Sequence, residues 1–170
     1  MDSAVSTGQG PALILLCGLP GSGKTTVARE RERETDAVRF STDEWMADLG
    51  LDYFDEMRDR VQKRLNALWR DLLRHGRSVI LEDGTWRREE RDELRRVAKT
   101  LDATTEMHYF DIAFDELWRR LQVRNVSPAY GTVPITRELL LESSSRFQRP
   151  DEAELSLFDR CIVHRQLREP

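Results

Sequence analysis

The chain has 170 residues, with 27 Lys and Arg against 31 Asp and Glu and a net charge of −4. This length predicts one domain with a hydrophobic core of its own. A hydrophobic share of 39% and a charged share of 34% are typical of soluble proteins, and the acidic balance gives no global reason to expect nucleic-acid binding.

The first predicted strand runs from Ala12 to Cys17, after a small polar segment, residues 1–11, that we expect to be a flexible tail. The strand leads into Gly18-Leu19-Pro20-Gly21-Ser22-Gly23-Lys24-Thr25, which fills every fixed position of the pattern G-x-x-x-x-G-K-[ST]. A helix is predicted from Thr25 to about Glu34. A glycine-rich turn also occurs as a plain connector, but both flanking elements favour a phosphate-binding loop.

The chemistry of this loop explains its residue types. Glycines let the backbone curl so that its N–H groups point at phosphate oxygens, and the positive end of the helix faces the same anion. Lys24 can reach the β and γ phosphates, and the Thr25 hydroxyl can ligate Mg²⁺. The predicted nucleotide-binding residues are Gly18, Leu19, Pro20, Gly21, Ser22, Gly23, Lys24, Thr25 and Thr26.

A second short strand, Val38 to Phe40, ends at Ser41-Thr42-Asp43. Ligands of parallel sheets bind beyond the carboxyl ends of the strands, which places Asp43 on the active rim. A carboxylate there can accept the proton of a hydroxyl acceptor during phosphoryl transfer. The alternative is that Asp43 is a helix N-cap, because Ser41-Thr42-Asp43-Glu44 could start a turn at Trp45.

A long helix is predicted from Asp55 to His75, with an apolar stripe of Met57, Val61, Leu65, Leu68 and Leu72. The third strand, Ser78 to Leu81, ends at Glu82 and Asp83. One of these two acids would hold a water of the Mg²⁺ shell, since adjacent strand side chains point to opposite faces. A solvated strand end is the alternative.

The second half of the chain continues the alternation of helices and strands. Helices are predicted at 88–101, 114–124 and 136–147, and strands at 105–110 and 161–164, which indicates an α/β domain with a parallel sheet. The arginines of the 88–101 helix alternate with acids and predict mostly i,i+4 pairing. Arg120 and Arg124 share one helix face and could close over a triphosphate, although a solvated basic face is about as well supported.

Four segments occur in order along the chain: G-L-P-G-S-G-K-T-T, S-T-D-E-W-M, V-I-L-E-D-G-T-W-R-R-E-E-R and L-W-R-R-L-Q-V-R-N. In combination they resemble small P-loop kinase-like proteins of the AAA-type ATP-binding and kinase family. These are related to polynucleotide 5′-hydroxyl kinase, zeta toxin and chloramphenicol phosphotransferase. The resemblance implies a P-loop fold of three α/β/α layers at residues 12–170, with a five-stranded parallel sheet ordered 2-3-1-4-5. It also implies a helical lid at about 114–137.

The resemblance also bears on individual residues. Asp43 matches the acceptor-side aspartate, and Arg120 and Arg124 match lid positions. Glu82 stands where many members have Asp. Met46 stands where the polynucleotide kinase has an arginine, which favours an acceptor with less charge than a nucleic acid.

These observations predict an ATP-dependent kinase that uses Mg²⁺ and phosphorylates a hydroxyl of a small molecule, either a metabolite or an antibiotic. Lys24, Asp43, Arg120 and Arg124 are the expected catalytic residues, Arg120 is also expected to bind the nucleotide, and Thr25 and Glu82 are the expected metal ligands. One alternative is a polynucleotide or RNA 5′-hydroxyl kinase, but nucleic acid is a less favoured partner than a small molecule. The other alternative is a nucleotide-dependent switch or accessory ATPase. Two cysteines without a disulfide pattern and no predicted membrane span favour a cytoplasmic location, and we expect a monomer or a dimer.

Overall fold

The computed structural model describes residues 10–165 and contains a sheet at the centre of the domain. Its strands are β1 (Ala12–Cys17), β2 (Val38–Phe40), β3 (Val79–Leu81), β4 (Thr104–Asp111) and β5 (Arg160–Arg165). All five run parallel in the order β2-β3-β1-β4-β5. The predicted fold class and strand order are therefore confirmed.

Helices connect the strands, because parallel neighbours in a sheet need a crossover connection. They are α1 (Lys24–Glu34), α2 (Thr42–Asp48), α3 (Arg58–Arg74), α4 (Arg88–Thr100), α5 (Phe114–Val126), α6 (Arg137–Arg146) and α7 (Glu152–Leu155). The Thr136 side chain accepts a hydrogen bond from the backbone N–H of Leu139, so it caps α6. Within residues 10–165, no helix combines the length and apolar character needed to cross a bilayer.

Alternate side chains of β1 enter two separate halves of the core, because successive residues of a strand point to opposite faces. One half packs the sheet against α3 and α4, and the other packs it against α1, α5 and α6. The first contains Leu13, Leu15, Cys17, Leu65, Trp69, Leu73 and Ala98; the second contains Ile14, Leu16, Ala28, Leu117, Leu121 and Leu140. The domain therefore has the expected three layers.

The structure corrects the helical prediction between β2 and β3. A separate helix, α2, was not predicted, and α3 begins at Arg58 rather than Asp55, because Asp55 Oδ1 accepts the backbone N–H of Met57 in a turn. The predicted stripe of α3 is partly wrong: Leu68 is 42% exposed, whereas Trp69 and Leu73 are buried.

The arginines of α4 also differ from the prediction in one respect. Arg91 is fully buried, and its Nε donates to Glu154 Oε1 of α7 at 2.6 Å rather than to a neighbour on its own helix. Further N–H groups of Arg91 donate to the carbonyl oxygens of Thr85 (3.0 Å) and Gln148 (2.9 Å). This buried pair joins α4 to the segment that follows α6.

The expected tail at residues 1–11 lies outside the described residues, apart from Gly10 and Pro11. The Pro11 carbonyl accepts a hydrogen bond from the backbone N–H of Thr104 at 2.9 Å. Pro11 therefore extends the pairing between β1 and β4 and does not belong to a loose segment.

Candidate active site

The glycine-rich loop leaves β1 at Gly18 and enters α1 at Lys24. Gly21 and Gly23 have φ values of +80° and +99°, a conformation that residues with a side chain rarely adopt. A β-carbon at Gly21 would also lie 2.9 Å from Leu121 Cγ on α5. The N-cap of α1 is Gly23, which offers no side-chain acceptor, so the first N–H groups of α1 suit an anion.

Lys24 lies within this loop, and its Nζ donates to the carbonyl oxygens of Gly18 (3.1 Å) and Leu19 (2.9 Å). Desolvation lowers the pKa of Lys24 to about 8, although the carboxylates of Glu82 and Asp43 oppose this shift. An ammonium group destabilised by desolvation is stabilised when an anion binds beside it.

The two acids that follow β3 face different partners. The Thr25 hydroxyl donates to Glu82 Oε1, whereas Asp83 accepts the backbone N–H (3.0 Å) and the hydroxyl (2.6 Å) of Thr42 at the start of α2. Glu82 also accepts a hydrogen bond from Arg39 Nη1 at 2.6 Å. Of the two candidate acids, Glu82 is therefore the one beside Thr25, and Asp83 anchors α2.

Asp43 lies in the first turn of α2, and the alternative that it caps this helix is wrong. The cap is Ser41, whose Oγ accepts the backbone N–H of Glu44. Asp43 Oδ1 instead accepts a hydrogen bond from Arg58 Nη2 at 2.6 Å, and its side chain is 38% exposed. The carboxylate is thus held by one cation and remains accessible from the cleft.

The arginines of α5 divide into two kinds. Arg119 and Arg120 both donate to Glu116, at 2.7 Å and 2.6 Å from their Nε atoms. Arg124 Nη2 donates to the Val133 carbonyl at 3.4 Å, and its Nε is buried with no hydrogen-bond partner among residues 10–165. Desolvation lowers the pKa of Arg124. Arg124 therefore carries a partly buried charge that an anionic ligand would stabilise.

These groups meet in one cleft of about 410 Å³. Most of the predicted site residues line it, whereas the backbone of Gly18 and Leu19 contacts Lys24 instead. Among the predicted residues, the lining comprises Pro20, Gly21, Ser22, Gly23, Lys24, Thr25, Thr26, Asp43, Glu82, Asp83, Arg120 and Arg124. The fold thus brings together residues from β-strand ends and helices that are far apart in the sequence.

Several lining residues were not found by sequence reasoning. Tyr53 lies in the turn before α3 and Arg58 is the first residue of α3, whereas the 129–133 loop, which also lines the cleft, falls within the predicted lid at about 114–137. This loop also contacts α2, since the Tyr130 hydroxyl donates to Asp48 at 2.6 Å. No motif marks Arg58 in the sequence, because it resembles the other arginines of a charged helix face.

A family model described as an AAA domain matches residues 13–150. The chain therefore belongs to this AAA domain family. Together with the phosphate loop and the sheet order, the match confirms the resemblance to P-loop kinase-like proteins that the motifs indicated.

Solved structures with the same fold support this assignment. A chain of the Pnkp1/Rnl/Hen1 complex is 27% identical, with a TM-score of 0.60 over 69% of this chain and 41% of its own. The present chain spans less than half the length of this match and of a second match, a chain of the Pnkp1/Rnl/Hen1 RNA repair complex.

Two further structures cover nearly the whole chain. An inferred kinase from Chloroflexus aurantiacus J-10-fl is 24% identical, with a TM-score of 0.70 over 92% of this chain and 89% of its own. The APS kinase CysC of Mycobacterium tuberculosis, solved with AMPPNP and APS, is 20% identical, with a TM-score of 0.56 over 91% of this chain and 89% of its own. At these identities the likeness concerns the fold.

Proposed function

We propose that the protein is an ATP-dependent phosphotransferase that moves the γ-phosphoryl group to a hydroxyl of a small molecule. The observation that carries this proposal is the shared cleft, in which the phosphate loop, Asp43 and Arg124 line the same space. A nucleotide-binding loop alone would suit a switch protein as well. A carboxylate accessible from the same cleft is what transfer to a hydroxyl needs in addition.

The residues present fit a nucleoside triphosphate. Gly23 has a left-handed backbone with open space beside it, and the buried Ser22 Oγ and Arg124 Nε lack partners among residues 10–165. Lys24 and Arg124 both carry a charge that desolvation penalises. In the proposed complex, the loop backbone and Lys24 hold the phosphates, and Arg120 and Arg124 of the proposed lid neutralise charge that develops during transfer.

The pair of Thr25 and Glu82 fits a magnesium ion. Its hydroxyl and carboxylate are adjacent oxygen ligands of the kind that Mg²⁺ prefers, and Glu82 is only 8% exposed. In the described part of the chain, no group of three or more His, Cys, Asp or Glu side chains is arranged to hold a metal. When bound, the ion would neutralise phosphate charge, while Arg39 keeps Glu82 oriented.

Asp43 is the proposed general base. Its backbone is fixed because Asp83 binds Thr42, the residue before it, through two hydrogen bonds. Its carboxylate is fixed by Arg58 and still reachable from solvent. A side chain that is held in place and accessible can accept the acceptor's hydroxyl proton without first reorganising.

A polynucleotide 5′-hydroxyl kinase is the second candidate. The 27% identity to a chain of the Pnkp1/Rnl/Hen1 complex favours it, whereas the net charge of −4 does not. These two candidate functions are distinguished by which acceptor receives label from γ-³²P-ATP in the presence of Mg²⁺. Label on sugars, nucleosides or chloramphenicol-like alcohols supports the proposal, and label on a 5′-hydroxyl oligonucleotide alone supports the second candidate. Hydrolysis without transfer to either class would favour a switch.

A further inference from the structure

We propose that Arg58 binds an anionic group of the acceptor, so that the substrate is a small hydroxyl compound that carries a carboxylate or a phosphate. This inference rests on the proposed function, because it assumes that Asp43 marks the acceptor end of the cleft. It replaces the expectation of a less charged acceptor, which followed from Met46. The structure supplies a cation beside Asp43 from another helix, a contact that the local sequence does not reveal.

Arg58 is held in place by contacts on two sides. Its Nη2 donates to Asp43 Oδ1 at 2.6 Å, and its Nη1 donates to the Tyr53 carbonyl at 3.4 Å. The guanidinium carbon lies 4.5 Å from the centroid of the Tyr53 ring, a cation–π distance. A stacked guanidinium keeps a fixed orientation, which favours recognition of a planar or tetrahedral anion.

Arg58 retains hydrogen-bonding capacity for a ligand. A guanidinium has five N–H groups, and the contacts within residues 10–165 use one on each terminal nitrogen. Its side chain is 30% exposed, and both Arg58 and Tyr53 line the cleft. The unused donors are therefore sufficient for the paired hydrogen bonds that arginine forms with carboxylates and phosphates.

The other cations of the cleft have different assignments. Lys24 belongs to the phosphate loop, Arg29 pairs with Glu44 at 3.0 Å, and Arg120 and Arg124 come from α5. Arg58 is the cation in direct contact with the proposed base. An anion bound there would lie close to the hydroxyl that Asp43 deprotonates. The lining has five cationic and four acidic side chains, which gives an acidic protein a cleft with excess positive charge.

Arg58 also occupies a position in its helix that is unfavourable for a positive charge unless an anion binds it. It is the first residue of α3, where the helix dipole repels a positive charge. Asp43 compensates for part of this repulsion. The competing explanation is that Arg58 serves only to orient Asp43, in which case its loss would lower kcat for every acceptor alike.

Binding measurements test the anion site without relying on catalysis. The full chain is saturated with AMPPNP and Mg²⁺ so that the phosphate loop is filled, and inorganic phosphate and D-gluconate are titrated by calorimetry. D-sorbitol is the neutral counterpart of D-gluconate. We expect an anion to bind to the wild type and to lose about tenfold to a hundredfold in affinity in Arg58→Gln, with a smaller loss in Arg58→Lys. Arg64→Gln, an exposed arginine on the same helix, is the matched control.

Transfer kinetics separate this role from simple positioning of Asp43. With γ-³²P-ATP, we expect D-gluconate or glycerol 3-phosphate to be preferred over D-sorbitol or glycerol, and Arg58→Gln to raise KM for the anionic member more than it lowers kcat. Equal loss of kcat on anionic and neutral acceptors, or no anion binding by the AMPPNP-loaded wild type, overturns the inference. Anion binding that depends on Arg58 without any label transfer would instead overturn the proposed phosphotransferase and leave the anion site standing.

Discussion

The lowered pKa of Lys24 predicts that nucleotide affinity falls in a pH range where an ordinary lysine would have no effect. Desolvation within the phosphate loop lowers this pKa to about 8 in the free protein. The protonated ammonium is the form that binds phosphate, and its population falls as the pH rises through this value. Bound phosphates keep the proton on Lys24, so part of the binding free energy is used to protonate it.

The size of the change in nucleotide affinity with pH follows from the fraction of Lys24 that is protonated. With a pKa of about 8, apparent affinity should be about tenfold weaker at pH 9 than at pH 7. An unperturbed lysine would weaken it by less than about 1.2-fold over the same range. The decrease should level off where the charge of Lys24 no longer contributes. The Lys24→Met variant, which has no titrating group there, should show that same weak affinity at every pH.

The assay is equilibrium binding of a fluorescent ATP analogue between pH 7 and pH 10 in EDTA, so that magnesium does not contribute. Phosphate ionises near pH 6, so the charge of the nucleotide is constant over this range. Lys24→Arg retains its charge and should show a flat profile. A flat wild-type profile, or the same decrease in Lys24→Arg, would refute the argument that desolvation of Lys24 limits binding.

Three further outcomes follow from the structure. Gly21→Ala places a β-carbon on a backbone with φ of +80° and 2.9 Å from α5, so nucleotide affinity should fall by about tenfold or more in the same binding assay. Glu82→Gln should raise the Mg²⁺ concentration for half-maximal activity by about tenfold, and an unchanged value would contradict its role at the metal. Glu154→Gln leaves Arg91 buried without its carboxylate partner, so the free energy of unfolding measured with urea should fall by about 3–5 kcal/mol. Substitution of the exposed Glu152 by Gln should change it little.

The fold could be predicted largely because its signals are local. The apolar runs of β1, β3 and β4 and the glycine loop after β1 identify a P-loop α/β domain, and the resemblance implied the strand order. The helix α2 was not predicted because it has only seven residues, and its cap is Ser41 rather than the capping candidate Asp43. The apolar stripe predicted for α3 was partly wrong because Leu68 and Trp69 are both apolar, and only Trp69 is buried against the sheet.

The site was predictable where it rests on a motif and not where it rests on distant contacts. The phosphate loop is contiguous in the sequence. The contact of Arg58 with Asp43 and the burial of Arg91 against Glu154 depend on tertiary packing. In a chain this rich in arginine, no local pattern separates these two arginines from those that face solvent. The choice of Glu82 over Asp83 likewise depended on which face of β3 meets Thr25.

The proposed mechanism requires that one cleft both binds ATP and transfers its phosphoryl group with Asp43 as the base. The most direct test compares wild type and Asp43→Asn for ATP affinity and for transfer of ³²P from γ-labelled ATP to the best acceptor. The proposed role of Asp43 predicts that transfer falls by at least about a hundredfold while ATP affinity changes by less than about threefold. Transfer that survives in Asp43→Asn, or a parallel loss of ATP binding, would contradict it.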